Sequence, residues 1–396
     1  MSNDFAIRHS PFAIRLWIET AHQSLPRAGE EVCGEAVRTF QTEDRFLVIL
    51  ASSPQSGAEG VARAAATAER ALEMLQAGDT PDGVAETFIV APPAGGGGTF
   101  SILQVLGGDQ AHLVECEALP LCLIRRGEVE FLPLSEEVVH GRLLRECRFR
   151  LRDADYLAMV SQGYLRPRGW GWGWADVAVA VRRWTDTGCD ADELLGALMR
   201  TYRRLNPEAP RQDMTVVAMH VRPMRTVTVW TGPPADAAQD KAALRKLMAE
   251  QGTRVLCGDT TAQIAARLLG AELELEPRPE DGWAEVPPVS RLEGVDLVTE
   301  GLVTLGKARE RIAGAKRMRD RSAERSRRSL PRGQDGATRL ARALLAADKA
   351  NFIVGLAVNP AQAADAARTV PLRQAVVEEL MHDLRARGRL VSVEYV

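Results

Sequence analysis

The chain has 396 residues, enough for two or three domains of ordinary size. Hydrophobic residues make up 45% and charged residues 26%, a globular balance that excludes a disordered or fibrous chain. The net charge of −3 selects no partner, and no run of about 18 apolar residues is present to span a bilayer. Residues 1–26 place Asp4, Arg8, Arg15 and Glu19 among the apolar positions, so they lack the unbroken apolar core of a signal peptide. The six cysteines are scattered without a C-x-x-C pair, and the histidines are equally dispersed. That pattern points to a reducing cytoplasm, to thiols packed as small apolar side chains, and away from a zinc site.

Alternation predicts a strand over 12–18, and the apolar run 46–50 a buried strand leading into a Ser/Pro/Gly turn. Residues 57–77 read as an amphipathic helix, with Val61, Ala65, Ala68, Leu72 and Leu75 on one face and Gly78 at its end. The glycine run at 95–98 precedes a strand and not a helix, so it is read as a hairpin loop. Strands are expected at 99–103, 111–117, 121–125, 129–133 and 147–151. Asp155 is read as a turn residue before a further strand at 156–160. Helices follow at 175–186 and 190–204, then strands at 214–221 and 226–230. Strands in runs flanked by long helices suit a sheet sandwich covered by helices.

A small α/β module is predicted over 226–306, with a helix at 236–251, a strand at 254–257 and a helix at 262–269. Residues 307–336 hold eleven Lys/Arg against four acids, a local charge of +7, with almost nothing large and apolar to bury. They read as a basic linker or exposed helix over 307–337. No aromatic residue interleaves those charges, so nucleic acid is not an expected partner. The segment 338–396 closes the chain with a helix at 340–350, a strand at 352–358, a turn at Asn359-Pro360, a helix at 372–387 and a strand at 390–395. Whether the two C-terminal α/β segments pack as one body stays open at this stage.

Four short stretches carry the chemistry. They are Cys33-Gly34-Glu35, Ala51-Ser52-Ser53-Pro54-Gln55-Ser56-Gly57, Ser161-Gln162-Gly163 and Gln212-Asp213-Met214-Thr215. In order and setting they resemble the motifs of the PPM-type, metal-dependent serine/threonine phosphatases, in the bacterial branch of stage II sporulation protein E. There the stretches read roughly C-G-D, A-D-G-x-G-x-G, S-D-G and D-D-x-T, and the first Asp of each holds the two catalytic metals or their waters. Later markers agree in order with a subgroup of that branch: Thr231-Gly232-Pro233-Pro234, Cys257-Gly258-Asp259-Thr260-Thr261-Ala262 and the run 293–301. The resemblance implies an α+β fold. An αββα sandwich is expected over 1–225, followed by the small α/β C-terminal region.

Two Mn²⁺ or Mg²⁺ ions with a bridging hydroxide need hard carboxylate oxygens. Here those positions hold Glu35, Ser52, Gln162 and Gln212, with Ser53 and Asp213 beside them. Three formal negative charges are lost around two dications, where stabilising one developing charge is commonly worth ~3–4 kcal/mol. The expectation is a degenerate metal site with no catalytic residue and no metal. Glu35 and Asp213 are the residual candidates should one Mn²⁺ or Mg²⁺ be retained.

The implied role is a cytoplasmic pseudophosphatase in bacterial signalling. It would be a regulatory module with a protein partner, a phosphorylated one included, with no membrane partner and with homo-oligomerisation left open. The alternatives are an active phosphatase with an altered metal site and an anion or ligand sensor on 226–306. For the latter, Gly258, Thr260 and Thr261 open a helix whose free N–H groups suit an anion, although Asp259 is read as the helix cap instead. The aromatic run 169–174 is read as a structural loop beside the former active site, with a partner-binding patch as its alternative.

Overall fold

The computed structural model describes residues 15–55, 57–93, 97–165, 173–186, 188–206, 208, 210–277, 286–315, 334–357 and 372–396. The chain divides into two compact units, Met1–Pro223 and Met224–Val396. Within the first, the elements are β1 (Leu16–Leu25), β2 (Glu35–Gln41), β3 (Arg45–Ser52), α1 (Gly57–Ala77), α2 (Pro81–Val90), β4 (Phe100–Leu106) and β5 (Gln110–Cys116). They continue with β6 (Cys122–Arg125), β7 (Glu128–Glu130), β8 (Ser135–Val139), β9 (Arg142–Arg150), β10 (Tyr156–Val160), α3 (Trp174–Thr185), α4 (Ala191–Leu205) and β11 (Met214–Pro223).

These strands form two antiparallel sheets, one ordered β1-β11-β10-β6-β7 and the other β2-β3-β4-β5-β9-β8. The sequence of β3 explains the layering. Phe46, Val48 and Leu50 point into a core shared with Leu157, Met159, Val217 and Met219 of the facing sheet. The alternate residues Leu47, Ile49 and Ala51 point the other way, against Ala68, Ala71 and Leu75 of α1 and Val84 and Phe88 of α2. On the far side, Tyr156, Ala158, Val160, Val216 and Ala218 pack against Val177 and Val181 of α3 and Leu194 and Leu198 of α4. The result is an αββα sandwich with three apolar layers, as period-two side-chain alternation demands of a sheet covered on both faces.

Several boundaries differ from the sequence expectation. The first strand runs to Leu25, beyond 18, because it pairs with β11 from Leu16↔Pro223 to Leu25↔Met214. As an edge strand it tolerates the polar residues His22, Gln23 and Ser24. The expected strand at 129–133 shrinks to β7. The exposed edge strand β8 carries too many charges to show an apolar period. Helix α2 went unforeseen, although Thr80 caps it from its side chain and Pro81 opens it. Asp155 does close the expected turn, but its carboxylate is also buried, gripping Arg125 through Nε at 2.9 Å and Nη2 at 2.7 Å.

The second unit contains β12 (Thr226–Thr231), α5 (Asp240–Ala249), β13 (Thr253–Cys257), α6 (Asp259–Leu269), β14 (Glu274–Leu275), β15 (Ser290–Leu292) and β16 (Val295–Thr299). It continues with α7 (Leu302–Gly314), α8 (Gly336–Ala346), β17 (Lys349–Val354), α9 (Leu372–Arg385) and β18 (Leu390–Tyr395). One sheet, ordered β14-β15-β16-β13-β12-β17-β18, joins strands from both C-terminal segments. Its five longer strands are parallel. Helices α5 and α6 cover one face and α7, α8 and α9 the other. The basic segment is corrected at its start, since residues 307–314 complete α7 and Ala308 and Ile312 are fully buried. Most of that segment, 316–333, lies outside the described residues, as do 169–172 of the aromatic run, Asn359-Pro360, and 94–96 of the glycine loop. Trp174 is described, and its indole N–H donates to the Pro120 carbonyl at 2.7 Å. No helix among the described residues is long and apolar enough to cross a membrane. All six cysteines are free thiols, five of them buried.

Arg125 and Asp155 are 8% and 1% exposed, and Arg125 also pairs through Nη1 with the more exposed Glu130 at 2.6 Å. Replacing Asp155→Ala removes the guanidinium's buried carboxylate and leaves Glu130 as its remaining ion-pair partner; it is expected to cost about 1.5–3 kcal/mol of unfolding free energy, measured by urea denaturation.

Candidate functional site

The apolar layers leave polar residues little room except at strand ends, and the four motif stretches all fall there. Glu35 begins β2 and sits directly opposite Ser52, which ends β3. The Ser53 amide donates to the Gly34 carbonyl at 3.1 Å and holds the first two stretches together. Ser161 follows β10, and Asp213 precedes β11. Those two ends are tied by the Ser161 amide donating to the Thr215 carbonyl at 3.0 Å and the Thr215 amide donating to Ser161 Oγ at 2.9 Å. Close backbone approach locks the pairs together. A Cβ on Gly163 would overlap the Asp213 carbonyl oxygen, and one on Gly34 would lie 2.8 Å from Asp213 Oδ2. The structure therefore gathers Glu35, Ser52, Ser53, Gln162, Gln212 and Asp213 in one region.

Their chemistry differs from that of a carboxylate cage. Ser52 Oγ bonds Thr99 Oγ1 at 2.6 Å, and its amide donates to the Thr99 carbonyl at 2.9 Å. Ser53 Oγ donates to Gln55 Oε1 at 3.0 Å. Gln162 opens a short 3₁₀ turn and is exposed, as is Gln212. Asp213 Oδ1 accepts the Arg27 amide at 3.0 Å. Ser52 and Gln162 line a cavity with Thr99, Ser101 and Ser161 that holds about one water molecule. Ser161 and Thr215 lie within the stretches singled out from the sequence, but no site role was expected of their hydroxyls or of Thr99 and Ser101. The signal for Thr99 was its place at the head of a strand just after the glycine run.

Within this region Glu35 is the acid that its setting alters. Burial pushes its carboxyl up to about 7, against hydrogen bonds from Thr215 and Ser161 that pull it down, with the Asp213 charge adding to the rise. One of its oxygens, Oε2, is buried with no hydrogen-bond partner, so a negative charge there is poorly stabilised. Burial, reinforced by the charges of Glu35 and Asp213, also lifts the Cys33 thiol to about 11, which leaves it unreactive.

A pair of hard dications does not fit these residues. The region supplies two carboxylates, Glu35 and Asp213, and the Ser52 and Thr99 hydroxyls are already bonded to each other. Among the described residues no three His, Cys, Asp or Glu side chains stand together as metal donors.

In the second unit, Gly258 is the N-cap of α6 at φ 134°, a conformation that L side chains rarely adopt. Asp259 is the first helical residue and makes no capping bond, contrary to the sequence expectation. Thr260 is exposed, while Thr261 is fully buried with its Oγ1 unpartnered.

No family model and no curated protein matches the chain. Solved structures do. The phosphatase domain of the cell fate determinant SpoIIE from Bacillus subtilis is 15% identical, with 53% of this chain and 95% of that one covered and a TM-score of 0.42. The RsbU and RsbW domains of a Mycobacterium tuberculosis protein are 15% identical over 65% of this chain and 72% of that one, with a TM-score of 0.45. The catalytic domain of the serine/threonine protein phosphatase PstP, solved with two manganese ions, is 15% identical over 52% and 99%, with a TM-score of 0.38. The structures it is similar to are of the PPM phosphatase type, the class to which the four motifs point. The αββα assignment itself stands on this chain's own strand order and helix packing.

Glu35 titrates near 7 in the folded chain, against an ordinary 4.5. The fold prefers the protonated form. Its contribution to stability is complete below about pH 4.5 and is lost as pH rises through about 7. The neutral isostere Glu35→Gln is therefore expected to match the wild type at pH 4 and to exceed it at pH 8 by on the order of 3 kcal/mol, read by urea unfolding at both pH values.

Proposed function

We propose that this chain is a catalytically inactive phosphatase-fold protein that works by binding, as a regulatory module for a protein partner, a phosphorylated one included. The observation that carries this reading is the neutral, self-satisfied donor set at the former ligand positions. Ser52 is paired with Thr99, Ser53 with Gln55, and Gln162 and Gln212 present amides. Phosphoryl transfer by water needs a strong nucleophile and concentrated positive charge at the leaving oxygens, and these residues hold neither. A surface shaped like a phosphatase cleft but lacking that chemistry keeps a bound phosphoprotein intact, which suits recognition or protection.

A second reading has one observation in its favour. Glu35 and Asp213 are both carboxylic acids, and Asp213 lies close enough for its charge to act on Glu35, so an altered site with a single Mn²⁺ or Mg²⁺ is the competing proposal. Calorimetric titration with each ion separates the two. The wild type is expected to give no saturable heat, and the variant Ser52→Asp/Gln162→Asp/Gln212→Asp to regain binding. Tight binding by the wild type, with metal-dependent phosphate release abolished in both Glu35→Ala and Asp213→Ala, would overturn the inactive reading in favour of the enzyme.

A further inference from the structure

The parallel strands of the second unit run, in space, β16-β13-β12-β17-β18. Numbered by their place in the chain, this is the order 3-2-1-4-5 of a doubly wound sheet. The chain leaves β12 for α5 on one face and leaves β17 for α9 on the other. The carboxyl ends of these two neighbours, paired at Thr231↔Val354, form the switch point where the connections diverge, the place at which doubly wound sheets bind ligands.

Three features converge at that end of the sheet. The first is Arg373, in the first turn of α9. Its guanidinium lies on Gly232, where a Cβ would overlap it, and donates through Nη1 to the Gly355 carbonyl at 3.0 Å. It is half-buried, burial draws its pKa down, and it makes no ion pair among the described residues. Two of its nitrogens are left without a described acceptor. The second is the N-terminus of α6. Gly258 caps it without a side chain, so the amides of Asp259, Thr260 and Thr261 keep the orphan donors of a first helical turn. The third is a pair of buried hydroxyls with no hydrogen-bond partner, Thr231 Oγ1 and Thr261 Oγ1, both on fully buried residues. Thr261 Oγ1 is aimed at the Gly258 turn, 3.1 Å from where a Cβ there would stand, and the Gly232 amide nitrogen lies 3.9 Å from the same point.

These donors share one need. A half-buried guanidinium with no ion pair among the described residues, helix amides without intrahelical partners and two buried hydroxyls without a hydrogen-bond partner can all be served by one acceptor carrying negative charge. A phosphate group answers best, because its several oxygens can take a guanidinium, amides and a hydroxyl at once, where a carboxylate has two oxygens. The Glu300 and Asp259 carboxylates stand in the same neighbourhood, but Asp259 is exposed and makes no capping bond, and Glu300 accepts the Thr304 amide.

We infer that the switch point of the second unit binds a phosphate group, free or carried by a small molecule, between the Arg373 guanidinium and the Gly258–Thr261 turn. It is a site separate in its residues from the degenerate phosphatase site, and it does not rest on the reading given to that site.

Isothermal titration of the full-length protein with adenosine 5′-monophosphate, inorganic phosphate, adenosine and acetate tests it. The wild type is expected to bind at least one of the two phosphates and neither adenosine nor acetate. Displacement of the nucleotide by equimolar inorganic phosphate assigns the site to free phosphate, and failure to displace it assigns the site to an ester. Arg373→Gln is expected to weaken binding at least tenfold, and the near-isosteric Thr261→Val severalfold, while far-UV circular dichroism shows both variants folded. Arg211→Gln, outside this unit, should leave the affinity unchanged. No saturable heat with either phosphate, equal affinity in Arg373→Gln, or adenosine binding as tightly as its monophosphate would each overturn the proposal.

Discussion

Burial of both faces of the central strands is the constraint from which the rest of the first unit follows. In β3 every residue from Phe46 to Ala51 is buried, odd ones under helices and even ones under the opposing sheet. A strand in that position has no face on which to place a functional polar group. Such groups are displaced to strand ends, where turns supply backbone partners and solvent is near. Glu35, Ser52, Ser161 and Asp213 all stand at strand ends, and cross-strand pairing alone brings two of them opposite each other. The polar residues that do penetrate the layers are tied down, as Arg125 and Asp155 are by two short hydrogen bonds.

The same constraint decided what could be read in the sequence. Strong apolar runs and clear turns located β10 at Tyr156–Val160 and β18 at Leu390–Tyr395, and they gave α3 and α4 to within a residue or so. The strands missed were β8, which is nearly all exposed, β14, which is two exposed residues paired to β15, the three-residue β15, and also β2 and β16; β2 has no fully buried residue to mark it, and β16 is only five residues long. The basic run beginning at Lys307 misled in the other direction. Its charge conceals Ala308 and Ile312, which are spaced one turn apart and seat α7 in the core. Motif order pointed to strand ends that the fold does bring together, because turn residues keep their spacing between strands. Its detailed chemistry was not legible, since the partners of Ser52 and Glu35 come from Thr99, Ser161 and Thr215 at long sequence separations.

Those partners explain how the region is stable with its acids replaced. A cluster of carboxylates is self-repelling and needs cations to fold around. Replacing its members singly with neutral groups leaves polar atoms that must find other partners or remain at cost. Ser52 finds Thr99 across the strand end, Ser53 finds Gln55 within its own turn, and Asp213 takes the Arg27 amide. Glu35, which keeps an unpartnered buried oxygen, is brought toward neutrality by burial itself.

The second unit shows the opposite balance. Its strand ends carry a guanidinium, helix amides and two hydroxyls, and the described residues place no carboxylate within ion-pair distance of Arg373. Partly desolvating a cation is unfavourable unless an opposite charge or several acceptors return the energy. The Gly355 carbonyl is a single neutral acceptor, sufficient to orient the guanidinium but not to offset its charge. Gly232 and Gly258 matter here because any side chain at either place would fill the space where the guanidinium and the helix amides approach each other.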